Sequence, residues 1–350
     1  MQYAVVMAGG AGTRLWPAAR RAMPKQLQEL IFERPLIAET VHRLAAKYGM
    51  HRVLIVTAQQ YVEAIGALLP ELPEENIIAE PVGRNTAAAI ALAALHIARE
   101  DPQAVFAIFP ADHVILKPEA LFKALEYAFT LAETHRVVDI GVPPTHPETG
   151  YGYIELADEV GRDGEVRAFA VKRFVEKPDA RQAQEYVNAG NYIWNSGMFV
   201  WRVDTFLQAL REHLPDTHDR LRSAFGDPQL LTAAYGELEE ISVDYAIMER
   251  TTDVVALPVD FGWRDVGDWA ALYDLMEHDA DGNAAEGQYV TLDTLGSLLL
   301  SPKKLVAAIG VENLVIVDTG DVLLVMPRDR AQDVKKILDK LKAHGKAEYL

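Results

Sequence analysis

The chain has 350 residues, half of them hydrophobic, and its 34 Lys plus Arg against 51 Asp plus Glu give a formal net charge of −17 at pH 7. This length exceeds an average domain, so we expect one large domain and a smaller one. The acidic balance argues against a nucleic-acid partner or an anionic membrane surface. The absence of Cys excludes disulfides, thiolate metal sites and cysteine nucleophiles, and it is compatible with a reducing compartment. No signal peptide or membrane-spanning stretch is evident, so we expect a cytoplasmic protein.

Short apolar runs that end in turn residues predict strands in the first part of the chain. They are QYAVVMAGG at the N-terminus, Arg52–Ala58, Ala104–Pro110 and Val137–Val142. Helical patterns alternate with them at Asn85–Arg99, where Asn85 or Thr86 is the expected N-cap, and at Glu119–Glu133 after Pro118. This alternation predicts an α/β fold, a three-layer α/β/α sandwich on a mostly parallel sheet, with ligands at the carboxyl ends of the strands.

The second part of the chain is predicted to contain more irregular strands. YGYIEL, AVKRFVEK and YIWNSGMFVW are aromatic-rich strand candidates, and Asp204–His213 is helical. The small, polar segment His278–Gln288 is the best linker candidate. It is not a calcium loop, because the twelfth position from Asp279 is Val290 rather than Glu. SLLLS, LVAAIG, NLVIVD and DVLLVMP then predict short strands before a helix at Ala331–Ala343, which indicates a small β-rich domain.

The strongest chemical signal is the loop after the first strand, GGAGTRLWPAARRAMPKQ, which we call the signature loop (Gly9–Gln26). It lacks the Gly-Lys-Ser/Thr of a Walker loop, and Leu15 stands where a dinucleotide fingerprint needs a small residue. Its glycines can still aim backbone N–H groups at an anion. Basic residues cluster here in an otherwise acidic chain: Arg14, Arg20, Arg21, Lys25 and Arg34. The loop is therefore either a triphosphate cradle or a glycine turn followed by a solvated basic face.

The signature loop resembles that of the sugar nucleotidyltransferases, and its Trp16-Pro17 and PKQ resemble the guanylyltransferase branch of that family. Further motifs follow in the family's order: EPVGRNTAAA (Glu80–Ala89), FPADH (Phe109–His113), GYGYIE (Gly150–Glu155), FVEKP (Phe174–Pro178), NSGMFVW (Asn195–Trp201) and FGWRDVGDW (Phe261–Trp269). Ala19 departs from the pattern, since Ser is common there. Longer members carry a following isomerase domain, and because this sequence stops at Leu350 we expect no isomerase activity.

The resemblance implies that a sugar 1-phosphate oxygen attacks the α-phosphorus of GTP and that pyrophosphate leaves. Because this nucleophile is already an anion, no activated Ser, Cys or His is needed. By resemblance, Asp112 and Asp265 are the Mg²⁺ ligands, Arg14 binds the β and γ phosphates, and Lys25 lies near the α-phosphate. The alternative is that Asp112 caps a turn and Asp265 pairs with a cation such as Arg264. His113 has a structural role at least as readily as a catalytic one.

Glu80 is the candidate for base recognition, because one carboxylate can accept both donors of the guanine Watson–Crick edge. Alternatively it is a strand-end carboxylate paired with Arg84. The full set of expected nucleotide-binding residues is Ala8, Gly9, Gly10, Gly12, Thr13, Glu80, Gly83, Asn85 and Thr86.

The hexose 1-phosphate is expected to meet Gly152, Glu176, Lys177 and Asn195. By resemblance, Lys177 binds its phosphate and Glu176 accepts sugar hydroxyls. The alternative for EKP is a strand end with a surface ion pair, and Trp194 and Trp201 can equally be core aromatics.

The sequence thus predicts a nucleotide-binding catalytic domain at residues 1–280 and a small β-rich C-terminal domain at residues 281–350. We expect GTP and mannose 1-phosphate as substrates and a homodimer paired through apolar strands of the C-terminal domain. Two alternatives stay open: uridylyl or thymidylyl transfer to glucose 1-phosphate on the same fold, and a noncatalytic sensor of nucleotide sugars.

Overall fold

The computed structural model describes residues 1–10, 12–134 and 137–350, and the chain forms two compact units. The first unit comprises Met1–Gly9, Thr40–Ala111 and Ile115–Trp263, and the second comprises Gly10–Glu39, Asp112–Val114 and Arg264–Leu350. Within the described ranges, no helix combines the length and the apolar character that crossing a bilayer demands.

The strands and helices are numbered separately in chain order. The strands are β1 Gln2–Met7, β2 Val53–Ala58, β3 Ile77–Glu80, β4 Val105–Pro110, β5 His113–Ile115, β6 Val137–Val142, β7 Tyr153–Asp163, β8 Val166–Val175, β9 Tyr192–Arg202, β10 Val254–Pro258, β11 Trp263–Asp265, β12 Ala284–Leu292, β13 Leu298–Ile309, β14 Leu314–Asp318 and β15 Leu323–Pro327. The helices are α1 Leu36–Tyr48, α2 Val62–Leu68, α3 Asn85–Ala98, α4 Pro118–Ala132, α5 Ala180–Ala189, α6 Val203–His213, α7 Pro215–Ala224, α8 Pro228–Glu237, α9 Trp269–Leu275 and α10 Val334–Ala343.

The first unit is built on a nine-stranded sheet in the order β3-β2-β1-β4-β9-β6-β10-β8-β7. β1 pairs in parallel with β2 and β4, β2 with β3, and β6 with β10, whereas β9 runs antiparallel between β4 and β6. Alternate β1 residues face opposite sides of the sheet, and Tyr3 and Val5 join the buried core formed with α3 and α6. α4 packs against β4, β6 and β9. The predicted α/β sandwich with a mixed, mostly parallel sheet is confirmed.

The second unit contains the small β-rich part of the chain. Its four-stranded sheet has the order β12-β13-β14-β15, with parallel pairs except for the antiparallel pair β14 and β15. Its core joins this sheet to α9, α10 and the signature loop, where Leu15 and Trp16 are buried with Trp269. β5 and β11 pair as a separate two-stranded sheet.

Three local predictions are corrected. The linker predicted at His278–Gln288 already contains the start of β12, because Ala284 pairs with Leu298. SLLLS and LVAAIG form one strand, β13, because Pro302 falls where the pairing with β12 shifts register and its missing N–H is not needed. The predicted N-cap of α3 is absent, because Asn85 Oδ1 accepts only the neighbouring Thr86 N–H at 2.8 Å, while Thr86 Oγ1 accepts Val243 N–H at 2.9 Å.

Candidate active site

In the second unit, a buried lysine is held between two carboxylates. Lys25 Nζ lies 2.6 Å from Asp112 Oδ2 and 3.6 Å from Asp265 Oδ1, and it donates a hydrogen bond to the Val266 carbonyl at 3.1 Å. Asp112 directly precedes β5, and Asp265 is the last residue of β11, which pairs with β5. The two aspartates that are far apart in sequence are thus brought together on one cation.

Electrostatics keep this cluster charged at neutral pH. Burial alone lowers the pKa of Lys25, but the charges of Asp112 and Asp265 outweigh it and raise that pKa above its usual value. For Asp112 the burial effect is upward, and Lys25 and His113 outweigh it, so the net pKa is lowered. His113 Nε2 lies 3.9 Å from an oxygen of each aspartate. Lys25 therefore faces the aspartates as an ammonium ion.

The two aspartates suit a hard divalent cation. Both side chains are about a quarter exposed, at 25% for Asp112 and 22% for Asp265, so each keeps an accessible oxygen surface. Across the described residues, no group of three or more His, Cys, Asp or Glu side chains is arranged around a common metal position. Two carboxylates together with phosphate and water oxygens are the ligand set that Mg²⁺ favours.

The signature loop wraps closely around this cluster. Gly12 has a φ of 61°, and a Cβ built there would lie 2.6 Å from Lys25 Cβ, so only glycine fits. A Cβ built on Gly267 would lie 3.3 Å from both Arg14 Nη2 and Asp265 Oδ2. Arg14 therefore stands close to Asp265, and its charge acts on Lys25. Gly10 and Thr13 are exposed.

Arg20, another basic residue of the loop, is held by the C-terminal sheet. Its Nη1 and Nη2 donate to the two carboxylate oxygens of Asp321 at 2.7 and 2.8 Å, and its Nε donates to the Pro17 carbonyl at 2.9 Å. The clustering of basic residues therefore has a structural component as well as an electrostatic one.

In the first unit, the candidate base-recognition residue is buried at the carboxyl edge of the sheet. Glu80 is the last residue of β3 and is 5% exposed, and a Cβ built on Gly9 would lie 3.5 Å from its Oε2. Burial raises the pKa of Glu80 to about 7, although a bond from Tyr235 Oη at 3.5 Å opposes the shift. Tyr235, which sequence reasoning missed, also donates to the Ala88 carbonyl at 3.1 Å.

The alternative partner for Glu80 is engaged elsewhere. Arg84 donates to the carbonyls of Tyr235 and Gly236, at 2.8 Å for the first. Ala8 is buried at the end of β1 and Gly83 is exposed. Asn85 adopts a left-handed φ of 65° at the start of α3. The first unit therefore places Gly9 and Glu80 together, with the start of α3 close behind them in sequence.

The predicted sugar-phosphate residues also meet in the first unit. Asn195 N–H donates to the Gly152 carbonyl at 2.9 Å, and a Cβ built on Gly152 would lie 2.5 Å from Glu176 Oε2. Lys177, with a left-handed φ of 47°, donates from Nζ to Glu176 Oε1 at 2.8 Å. Glu176 Oε2 is buried and has no hydrogen-bond partner among the described residues. This group therefore has an unused acceptor beside a lysine.

Two aspartates, one half-buried and one fully buried, also escaped the sequence analysis. Asp244 Oδ1 accepts from Asn195 Nδ2 at 2.9 Å, and burial, followed by the charge of Glu176, raises the pKa of Asp244 to about 6. Asp139, fully buried in β6, has a pKa well above its usual range because of burial and then Asp244. The only available signal was an acidic residue inside each of the apolar runs VVDIGV and ISVDYAIM.

Two known families match successive parts of the chain. The family described as nucleotidyl transferase matches residues 3–282, and the family described as MannoseP isomerase/GMP-like beta-helix domain matches residues 287–341.

Similar proteins and structures extend over nearly the whole chain. It is 40% identical to a mannose-1-phosphate guanylyltransferase of Escherichia coli strain K12, with 99% of this chain and 75% of the relative covered. The same identity and chain coverage hold for mannose-1-phosphate guanylyltransferase ManC of Salmonella typhimurium, of which 74% is covered. A crystal structure described as mannose-1-phosphate geranyltransferase from Thermus thermophilus superposes with a TM-score of 0.88 and 36% identity, covering 97% of this chain and 99% of that one. The chain therefore belongs to the nucleotidyl transferase family.

Proposed function

We propose that the protein transfers GMP from GTP to mannose 1-phosphate, giving GDP-mannose and pyrophosphate, with Mg²⁺ as the metal. The observation that carries this proposal is the convergence of Asp112 and Asp265 on Lys25, next to Arg14. Bringing two polyanions together requires positive charges and carboxylates that can hold a cation, and this cluster contains both. The choice of substrates follows the relatives that are named mannose-1-phosphate guanylyltransferase.

The reaction needs charge compensation and alignment rather than proton transfer. The sugar phosphate oxygen attacks the α-phosphorus in line, the bond to the β-phosphate oxygen breaks, and pyrophosphate carries the charge away. Lys25 offsets charge at the α-phosphate, and Arg14 holds the end that becomes pyrophosphate. Mg²⁺, when bound by Asp112 and Asp265, would offset the charge of the phosphate oxygens. Gly10 and Thr13 are exposed residues, and their backbone N–H groups are candidates to bind the same phosphates.

Base and sugar recognition fall to the residues of the first unit. Glu80, when ionised, accepts hydrogen bonds from N1–H and the exocyclic amine of guanine. Neither uracil nor thymine offers two such adjacent donors. Gly152, Glu176, Lys177 and Asn195 bind the hexose phosphate: Lys177 meets the phosphate, and the free oxygen of Glu176 accepts a sugar hydroxyl. Asp244 orients Asn195 through its amide.

The test is pyrophosphate release from GTP, UTP and dTTP, each combined with mannose, glucose and fucose 1-phosphates, with Mg²⁺ and with chelator. Release with GTP and mannose 1-phosphate that chelator abolishes is the expected result. A preference for UTP or dTTP with glucose 1-phosphate would contradict the base and sugar assignments.

A matched pair of variants separates an enzyme from a sensor. Asp112→Ala should abolish product formation, and because Asp265 still faces the buried Lys25, the protein should stay folded with a lower melting temperature. Asp158→Ala changes an exposed aspartate on β7 and should retain full activity. A wild-type protein that binds GDP-mannose without any turnover would favour the sensor.

We also propose that the enzyme is a cytoplasmic homodimer. The absence of Cys supports a reducing compartment. Support for the dimer comes from one face of the β12 and β13 pair, where Leu292 lies opposite Ile309 and Val290 opposite Ala307. Leu292, Leu305 and Ile309 are 59%, 61% and 69% exposed, and a second copy of this strand pair would cover them.

A further inference from the structure

The segment Asp265–Trp269 contacts the signature loop residue by residue. Asp265 and the Val266 carbonyl face Lys25, Gly267 lies against the Arg14 guanidinium, and Trp269 Nε1 donates to the Trp16 carbonyl at 2.9 Å. Asp268 is the remaining member of this segment. Its carboxylate is directed to a different part of the second unit.

Asp268 uses its two carboxylate oxygens for different purposes. Oδ1 accepts the backbone N–H groups of Ala270 and Ala271, each at 3.0 Å, and so caps the N-terminus of α9. Oδ2 accepts a hydrogen bond from Gln332 Nε2 at 2.5 Å. Asp268 is 9% exposed, so its carboxylate is largely shielded from water, whereas Gln332 lies at an exposed position.

Gln332 extends the connection from Asp268 back to the signature loop. It lies in the short turn Arg328–Asp333 before α10, and its Oε1 accepts from Arg14 Nη1 at 3.3 Å. A carboxylate can only accept, so Asp268 fixes the amide NH₂ toward itself and leaves the amide oxygen toward Arg14. The polarity of this bridge therefore follows from the charge of Asp268.

We propose that Asp268 and Gln332 are positioning residues that hold the Arg14 guanidinium in place to bind the pyrophosphate end of the nucleotide. A free arginine loses rotamer freedom when it binds phosphate, and a guanidinium that is already held loses less. This proposal rests on the phosphate-binding role given to Arg14 under the proposed function. It gives Asp268, three residues after the metal-ligand candidate Asp265, a separate role, and it links Gln332 in the C-terminal part of the chain to nucleotide binding.

The test is a double-mutant cycle read by calorimetric binding of inorganic pyrophosphate in the presence of Mg²⁺. Gln332→Met keeps the length of the side chain and removes both hydrogen bonds. It should weaken pyrophosphate binding about threefold to tenfold, which corresponds to one hydrogen bond. In an Arg14→Gln background, the same substitution should have no further effect, because the group that it positions is gone.

Asp268→Asn probes the polarity of the bridge without removing the helix cap. Its side-chain oxygen still accepts from Ala270 and Ala271, but its NH₂ group now faces Gln332. The glutamine amide must turn its oxygen toward Asn and its NH₂ toward Arg14, so pyrophosphate binding should weaken as in Gln332→Met. Gln103→Met, at an exposed glutamine in the first unit, is the matched control and should bind like the wild type.

The outcomes separate the two proposals. KM for mannose 1-phosphate should be unchanged in Gln332→Met while KM for GTP rises, and a general structural defect would raise both. The positioning role would be overturned if Gln332→Met bound pyrophosphate as tightly as the wild type. It would also be overturned if Gln332→Met lowered the affinity as much in the Arg14→Gln background as in the wild type. If the wild type forms no GDP-mannose but Arg14→Gln still loses affinity for pyrophosphate, only the proposed function is contradicted. The double-mutant cycle would then still decide the role of Gln332.

Discussion

Lys25 places its ammonium nitrogen 2.6 Å from the Asp112 carboxylate, although the two residues belong to different sequence motifs. The contact joins a candidate phosphate-binding cation to a candidate metal ligand. Removing either residue would leave the charge of the other without its partner in a poorly solvated site.

We expect Lys25→Met to lower kcat by about 10²- to 10³-fold, the usual effect of removing one charge that meets the transition state. Asp112 and Asp265 then face each other without the ammonium, so Mg²⁺ should raise the melting temperature more in this variant than in the wild type. Steady-state kinetics and thermal melts with and without chelator measure both effects. Lys117→Met, at an exposed lysine paired with Asp260, should behave as wild type.

GTP binding should weaken as the pH falls below about 7, because burial raises the pKa of Glu80 to about 7. Below that pH the carboxyl group is protonated, and its O–H group faces one of the two N–H donors of guanine. Two donors cannot form a hydrogen bond with each other, so one of the two hydrogen bonds to the base is lost. KM for GTP measured across this range should rise toward acid in the wild type and stay level in Glu80→Gln. The same pH dependence in both proteins would remove Glu80 from base recognition.

The raised pKa of Glu80 also has a consequence for stability. An acid whose folded pKa exceeds its unfolded value favours the folded state at low pH, and this contribution is lost as the pH rises through about 7. In the absence of nucleotide, Glu80→Gln should therefore raise the melting temperature relative to the wild type at alkaline pH and less so at acidic pH. Differential scanning calorimetry at several pH values measures how the difference in melting temperature between the two proteins changes with pH.

Arg20→Leu should reduce stability rather than catalysis. In the wild type, the hydrogen bonds from Arg20 hold the pKa of Asp321 well below the usual range. The Arg20–Asp321 pair therefore stabilises the fold at neutral pH, and this stabilisation is lost as the pH falls below about 4. Because the pair is partly exposed, we expect a fall in melting temperature of about 2–4 °C at most. Unchanged KM values for GTP and mannose 1-phosphate are part of the prediction. A large rise in KM for GTP would show that Arg20 contacts phosphate.

Ile309→Glu should convert the proposed dimer into a monomer, because it replaces the most exposed apolar side chain on this face of β12 and β13 with a charge. Light scattering coupled to gel filtration should give twice the 38.7 kDa chain mass for the wild type and that mass for the variant. Lys303→Glu, at an exposed position on the same strand, is the control for added negative charge. A wild-type monomer would contradict the dimer directly.

The elements that the sequence predicted well are those with local signals. Buried strands such as β2 and β4 are continuous apolar runs bounded by turns, and α4 begins at the proline that marks its first turn. Gly12 is one of the loop glycines that the sequence pointed to. The structure gives the reason, since Gly12 has a positive φ and its Cα lies so close to Lys25 that a side chain would not fit. The division at residues 280 and 281 stays a prediction.

The features that the sequence could not predict depend on distant contacts. Asp112 and Asp265 were paired by family resemblance, because nothing in their local sequence indicates that β5 and β11 meet. The bridge from Arg14 to Gln332 spans 318 residues and involves an exposed glutamine without a distinctive motif. The full burial of Asp139 and the partial burial of Asp244 depend on which face of an element meets the core, and the apolar runs around them do not reveal this.

The hydrogen bond from Trp16 Nε1 to the Tyr349 carbonyl, at 2.6 Å, joins residues that are 333 positions apart. At bacterial or eukaryotic elongation rates of roughly 5–20 residues per second, the ribosome makes the second residue about 17 to 67 seconds after the first. During this interval Trp16 is already synthesised but lacks its partner, whereas the strands of the first unit can pair as they emerge. The signature loop should therefore be among the last parts of the nascent chain to gain protection from proteolysis.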